Sequence, residues 1–90
     1  MKMHTDYKVP EGKLLRIDLE RDGEVIKDIR IRGDFFIHPE DSITEIEDIL
    51  KGTAIKDIGK RLSGLFESKK IHVIGFGIND LENAILSMSK

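Results

Sequence analysis

The sequence contains no cysteine. That absence excludes disulfides, thiolate nucleophiles, zinc–thiolate sites and iron–sulfur ligation, and it is compatible with a reducing cytoplasm. No apolar run approaches the ~20 residues that a membrane-spanning helix needs. The polar stretch from Met1 to Pro10 lacks the apolar centre of a signal peptide. The chain is therefore expected to be cytoplasmic, without a membrane partner. A strong charge of one sign is also missing: 15 Lys and Arg face 17 Asp and Glu, for a formal charge of −2. The overall balance does not point to nucleic acid, although Lys13, Arg16, Arg30 and Arg32 can still cluster on one sheet face.

Ninety residues make one domain. A domain of this size buries only about 60–65% of the surface its unfolded chain exposes, so its core is thin. It gains stability from any partner that binds only the folded form. Such a chain is better suited to completing another protein's surface than to building a deep catalytic pocket of its own.

Residues 1–12 are polar and end in Pro10 and Gly12, which predicts a flexible arm ahead of a single domain over 13–90. From Lys13 to Glu20, Leu15, Ile17 and Leu19 share one parity. After Arg21-Asp22-Gly23, Val25, Ile29 and Ile31 do the same, so a β-hairpin is expected within 13–37. A three-residue loop with Gly23 in the left-handed position sets Leu19 opposite Val25, Leu15 opposite Ile29 and Arg16 opposite Asp28. Lys27 then falls on the apolar side and must snorkel or sit at an edge. Helices are predicted at about 42–51, 54–68 and 79–89. Ser42 with Glu45 and Asn79 with Glu82 read as capping boxes, and Thr53 as the cap of the middle helix. Gly52 ends the first helix, while Gly59 and Gly64 each weaken the second by about 1 kcal/mol relative to Ala. A short extended piece is expected at Ile71–Ile74. Strands first and helices afterwards predict an α+β fold, with a small antiparallel sheet and about three helices packed on one of its faces.

Catalytic chemistry is hard to find. His4, His38 and His72 are far apart and lack the spacing of a helical metal site. Gly75-Phe76-Gly77 is followed by Asp80 where a dinucleotide loop needs its third glycine, and that charge would oppose a phosphate. Gly59-Lys60-Arg61 lacks the first glycine and the Ser or Thr of a Walker A loop. No serine has a nucleophile-elbow context, and no carboxylate pair is marked as acid and base. The expectation is no catalytic, cofactor-binding or metal-binding residue in this chain. Phe35 and Phe36 are the informative pair, because neighbours in an extended segment point to opposite faces. Either both pack inside, one under a helix, or one anchors a partner surface, where aromatic residues carry disproportionate binding energy.

Gly33-Asp34-Phe35-Phe36, at the end of the second hairpin strand, resembles the GDFF signature of the C-terminal accessory domain of lipoate–protein ligases. Gly12-Lys13-Leu14-Leu15-Arg16 is similar to the first strand of that domain and Asp22-Gly23 to its hairpin turn. Ile43 to Gly52 is similar to its acidic first helix, and Gly77 to Ile85 to its closing segment. Together these cover most of residues 8–88. The resemblance implies a fold related to iron–sulfur scaffold proteins, whose cysteine-dependent function this chain lacks the residues for. Starting at Met1 without a catalytic domain ahead of it, the chain resembles the accessory member of a split, two-protein ligase. That implies a heterodimer with a catalytic subunit, which holds ATP, Mg and lipoate and makes lipoyl-adenylate before passing the lipoyl group to a lysine of an acceptor domain. Gly33, Asp34, Phe35, Phe36, His38 and Lys13 are then the expected signature or interface residues. The other class of function is a stand-alone interaction module of the same fold with no part in lipoylation.

Overall fold

The computed structural model describes residues 2–10 and 13–88. Three strands come first: β1 (Lys2–Lys8), β2 (Leu14–Asp22) and β3 (Val25–Gly33). They form an antiparallel sheet in the order β1-β2-β3. Next come β4 (Phe36–His38), α1 (Ser42–Leu50), a 3-10 turn at Ile55–Asp57, α2 (Ile58–Lys69), β5 (His72–Ile74) and α3 (Ile78–Ser87). β4 and β5 make a separate two-stranded antiparallel ribbon.

The expected α+β architecture is present, with helices covering one face of the sheet: α1 packs on β3 and α3 on β2. The core is one cluster. Leu15, Ile17, Leu19, Ile29 and Ile31 from the sheet meet Ile46 and Leu50 of α1, Ile58 and Leu62 of α2, and Leu81 and Ile85 of α3. The opposite face is polar and open to solvent, as one-sided burial of an antiparallel sheet requires.

The N-terminal segment is not an arm. Lys2–Lys8 pairs along its whole length with β2, from Lys2 opposite Glu20 to Lys8 opposite Leu14. Its alternation is weak, since no β1 side chain is fully buried, but Met3 and Tyr7 pack against the core as half-buried residues. The ladder, rather than apolar content, makes the strand. The predicted extent of the arm also includes Met1, Glu11 and Gly12, which lie outside the described residues, as does Ser89 at the end of the predicted third helix.

The hairpin exists in a different register from the one expected. Leu19 faces Ile29, Ile17 faces Ile31 and Leu15 faces Gly33. Arg16 faces Arg32, not Asp28. The loop has two residues, Gly23 and Glu24, with Gly23 at φ +60°. A β-bulge beside Glu20 and Arg21 compensates: Glu20 pairs with Asp28 and Arg21 with Ile26, which leaves Lys27 as the extra residue. The bulge resolves the misplaced lysine. Ile26 turns inward and is fully buried, Val25 is 41% exposed, and Lys27 reaches Glu20 at 3.6 Å.

The outer edge of β3 is closed. The Ile26 amide donates to Thr53 O at 3.0 Å and the Ile31 amide to Glu47 Oε2 at 2.7 Å. Val25 also bridges to Ala54. Along the outer edge of β1, no strand or side chain among the described residues performs this service.

The helix ends also depart from expectation. α1 is preceded by Asp41, and Ser42 is its first residue, buried with its Oγ unpartnered, so the Ser42–Glu45 capping box does not form. Thr53 closes the end of α1 instead of opening the next helix, its Oγ1 donating to Ile49 O at 2.7 Å. The 3-10 turn intervenes, and α2 starts only at Ile58. In α3 the Gly77 amide donates to Asp80 Oδ2 at 2.7 Å, so Asp80 plays the role expected of Glu82.

Candidate partner-docking site

The segment Gly33–Pro39 turns the chain from β3 into the β4–β5 ribbon, and two glycines allow it. Gly33 has φ +151°, and a Cβ there would lie 2.2 Å from the Leu14 carbonyl oxygen. Gly75 has φ +122°, and its Cβ would meet Phe35 Cβ at 2.9 Å. Only glycine tolerates such backbones and such approaches. With Gly75 bare, Phe35 swings in against the core and meets Phe76 edge to face, ring centroids 5.0 Å apart. Alternation then forces Phe36 outward. It is 78% exposed.

Phe36 has company. The ribbon register sets it opposite Ile74, itself 72% exposed, and sets His38 opposite His72. Opposed residues share a face, so an apolar pair and a pair of exposed imidazoles stand side by side on the outside of the ribbon. Sequence reasoning singled out Phe36 and His38. It did not join them to Ile74 and His72, because only the pairing of β4 with β5 brings together residues 38 and 34 positions apart. Asp34 is exposed, with its amide donating to Leu14 O at 3.4 Å. Lys13 is exposed immediately before β2. Gly33, Asp34, Phe35, Phe36 and His38 thus form one continuous turn and ribbon, and Lys13 lies by the strand that Gly33 touches.

The open sheet face carries a chain of charge across all three strands. His4 contacts Asp6 Oδ1 through Nε2 and Asp18 Oδ1 through Nδ1, both at 2.7 Å. Asp18 Oδ2 accepts from Arg32 Nη2, also at 2.7 Å. A neutral imidazole has a single N–H, so two carboxylates on one ring favour the imidazolium. Asp18 first and Asp6 second hold the His4 pKa above its ordinary 6.5. His4 and then Arg32 hold Asp18 below the ordinary carboxylate value. Arg16, Arg30 and Arg32 do share this face, as the strand register requires, but interleaved with Asp6, Asp18, Glu20 and Asp28. The result is a mixed surface, not a basic stripe.

Among the described residues no three His, Asp or Glu side chains converge to hold a metal ion. No described helix is long and apolar enough to cross a membrane. What the arrangement offers is a glycine-shaped turn with an exposed aromatic ring on its outside.

The comparisons with known proteins converge. A curated relative named lipoate-protein ligase A subunit 2, from Thermoplasma acidophilum, is 48% identical over 58 residues. That stretch covers 64% of this chain and 61% of the relative. A solved structure describing an archaeal lipoylation system, a bipartite lipoate protein ligase and its E2 lipoyl domain from the same organism, contains a chain with the same fold. Its TM-score is 0.81 at 35% identity, over 94% of this chain and 97% of that one. The family model for the bacterial lipoate protein ligase C-terminus matches residues 2–85. With nearly the whole fold inside that match, the chain belongs to the lipoate protein ligase C-terminus family.

Proposed function

We propose that this chain is the accessory subunit of a two-protein lipoate–protein ligase, docking on a separate catalytic subunit through the β4–β5 ribbon and the Gly33–Pro39 turn. The observation that carries the docking reading is the Phe36–Ile74 pair, 78% and 72% exposed and facing the same way. Folding does not ask for two large apolar side chains in water, whereas burial in an interface core repays them. The relatives support the wider reading, since one is named a ligase subunit and the other comes from a structure of a bipartite ligase and its lipoyl domain. ATP, Mg and lipoate belong to the catalytic subunit in this reading. The setting is cytoplasmic, which the absence of cysteine suits.

The accessory chain acts by binding the adenylation-competent conformation of its partner more tightly than the alternative, because only a difference in affinity moves such an equilibrium. A stable complex requires at least ~1,000 Å² of buried surface. The test is lipoylation of an acceptor domain by the catalytic subunit with and without this chain. Addition of the chain should switch on ATP-dependent lipoate activation, and unchanged activity would remove the proposal.

A further inference from the structure

The open face of the β1-β2-β3 sheet holds two like-charge pairings; in the first, Glu20 opposite Asp28, each carboxylate has a lysine beside it, Lys27 at 3.6 Å and Lys51 at 3.5 Å. Arg16 and Arg32 stand directly opposite each other on β2 and β3, and like charges so placed are destabilising. Arg32 is partly satisfied by Asp18. Arg16 makes no ion pair among the described residues. Its neighbour on the other side, Asp6, has Oδ1 engaged by His4.

The two arginines line a shallow depression with Leu14, Gly33 and Asp34. Gly33 lines it without a side chain, its backbone packed so closely on the Leu14 carbonyl that a Cβ would lie 2.2 Å from the oxygen. This depression runs directly into the Asp34–Phe36 turn of the docking surface. Sites where a local rule is broken without a structural gain are where function is to be sought.

We propose that Arg16 and Arg32 form a clasp for a phosphate of the nucleotide held by the catalytic subunit, an inference that rests on the docking reading above. Guanidinium groups match phosphate oxygens in paired hydrogen bonds. Two of them on adjacent strands supply more donors than one carboxylate can accept. Asp34 is the carboxylate that lines the depression, and Asp18 already engages Arg32 at 2.7 Å, so Arg16 is the guanidinium left to bring its charge to a ligand. In the assisted step a lipoate carboxylate oxygen bonds to the α-phosphorus of ATP. The bond from that phosphorus to the α–β bridging oxygen breaks, and pyrophosphate leaves with the electron pair. The arginines transfer no proton; they hold the phosphate oxygens on which negative charge accumulates. Such a role confines the accessory chain's contribution to adenylation and leaves lipoyl transfer untouched.

Two measurements test the clasp. With saturating catalytic subunit, Arg16→Ala and Arg32→Ala should each slow pyrophosphate release by about 10-fold or more. Their Kd for the subunit should change little, and transfer from preformed lipoyl-adenylate should be unchanged. Arg16→Lys should recover part of the rate. A weakened Kd with a normal rate at saturation would mean that the arginines contact a carboxylate of the partner, and it would overturn the proposal. The second measurement needs no partner: inorganic pyrophosphate titrated into this chain should shift the Arg16 and Arg32 side-chain NMR signals saturably. Arg16→Ala should abolish the response, and no shift in the unmodified chain would overturn the clasp. If the catalytic subunit does not bind the unmodified chain at all, the docking reading fails, while the titration still decides whether the arginines hold phosphate. Arg16→Ala should also melt no lower than the unmodified chain, because it removes a repulsion; a clear fall in Tm would make the pair structural and overturn the idea.

Discussion

Replacing Phe36 with Ala tests the proposed docking surface apart from folding. A phenylalanine buries on the order of 200 Å² when fully enclosed. At 78% exposure, about 150 Å² remains to be covered by a partner. At roughly 25 cal/mol per Å² the ceiling is about 4 kcal/mol. Imperfect enclosure brings the expected loss to about 2–4 kcal/mol, the range of an interface hot spot. Each 1.4 kcal/mol is about tenfold, so the Kd for the catalytic subunit should rise about 30- to 1,000-fold. The same exposure means that the folded chain loses little, and Tm should move by no more than an ordinary surface substitution, within about 0.5 kcal/mol. Calorimetric titration of the catalytic subunit gives the Kd, and circular dichroism gives Tm. An unchanged Kd with an intact fold would refute the reasoning. So would a loss of binding matched by an equal loss of stability, because Phe36 would then be a structural residue.

Three further outcomes follow from the geometry. Gly33→Ala should destabilise the chain by about 2–3 kcal/mol, read from the urea midpoint, because φ +151° and a 2.2 Å approach to Leu14 O leave no room for a methyl group; an unchanged midpoint would show that the turn relaxes freely. Gly64→Ala should stabilise it by about 0.5–1 kcal/mol, since this exposed position within α2 has open space around it; a lower Tm would count against the helix as described. His4 has its pKa raised in the fold by Asp18 and Asp6, so its stabilising effect should be fully present below 6.5 and lost as pH rises through its higher folded value. The Tm difference between the unmodified chain and His4→Gln should therefore shrink from pH 6 towards pH 9, and a constant difference would sink the assignment.

The hairpin was legible because two alternating runs flank Asp22-Gly23, but its register was not. Val25 and Ile26 are both apolar, and the choice between them is made by the Gly52–Ile55 linker, which pairs with that end of β3. Periodicity within one segment cannot report a bulge dictated by a segment some 25 residues away. β1 was missed for a related reason: Lys2–Lys8 alternates only Met3, Thr5 and Tyr7 with charge, and it becomes a strand by borrowing the β2 ladder. The capping patterns located helices to within a few residues yet named the wrong caps at Ser42, Thr53 and Glu82. Several short polar side chains near each helix start compete, and burial selects among them. Of the proposed docking site, the Gly33–Phe36 signature was visible in the residues, whereas Ile74 and His72 join it only through the ribbon.

The unequal margins of the main sheet have a consequence for how these molecules can aggregate. With Glu47 and Thr53 occupying amides of β3, that margin is a poor template for another chain, and among the described residues β1 is left as the place where the three-stranded sheet can be extended. Two molecules joined strand to strand along it would turn sealed flanks outward on both sides. Growth of this sheet would halt at two, because neither sealed flank offers a third strand a seat.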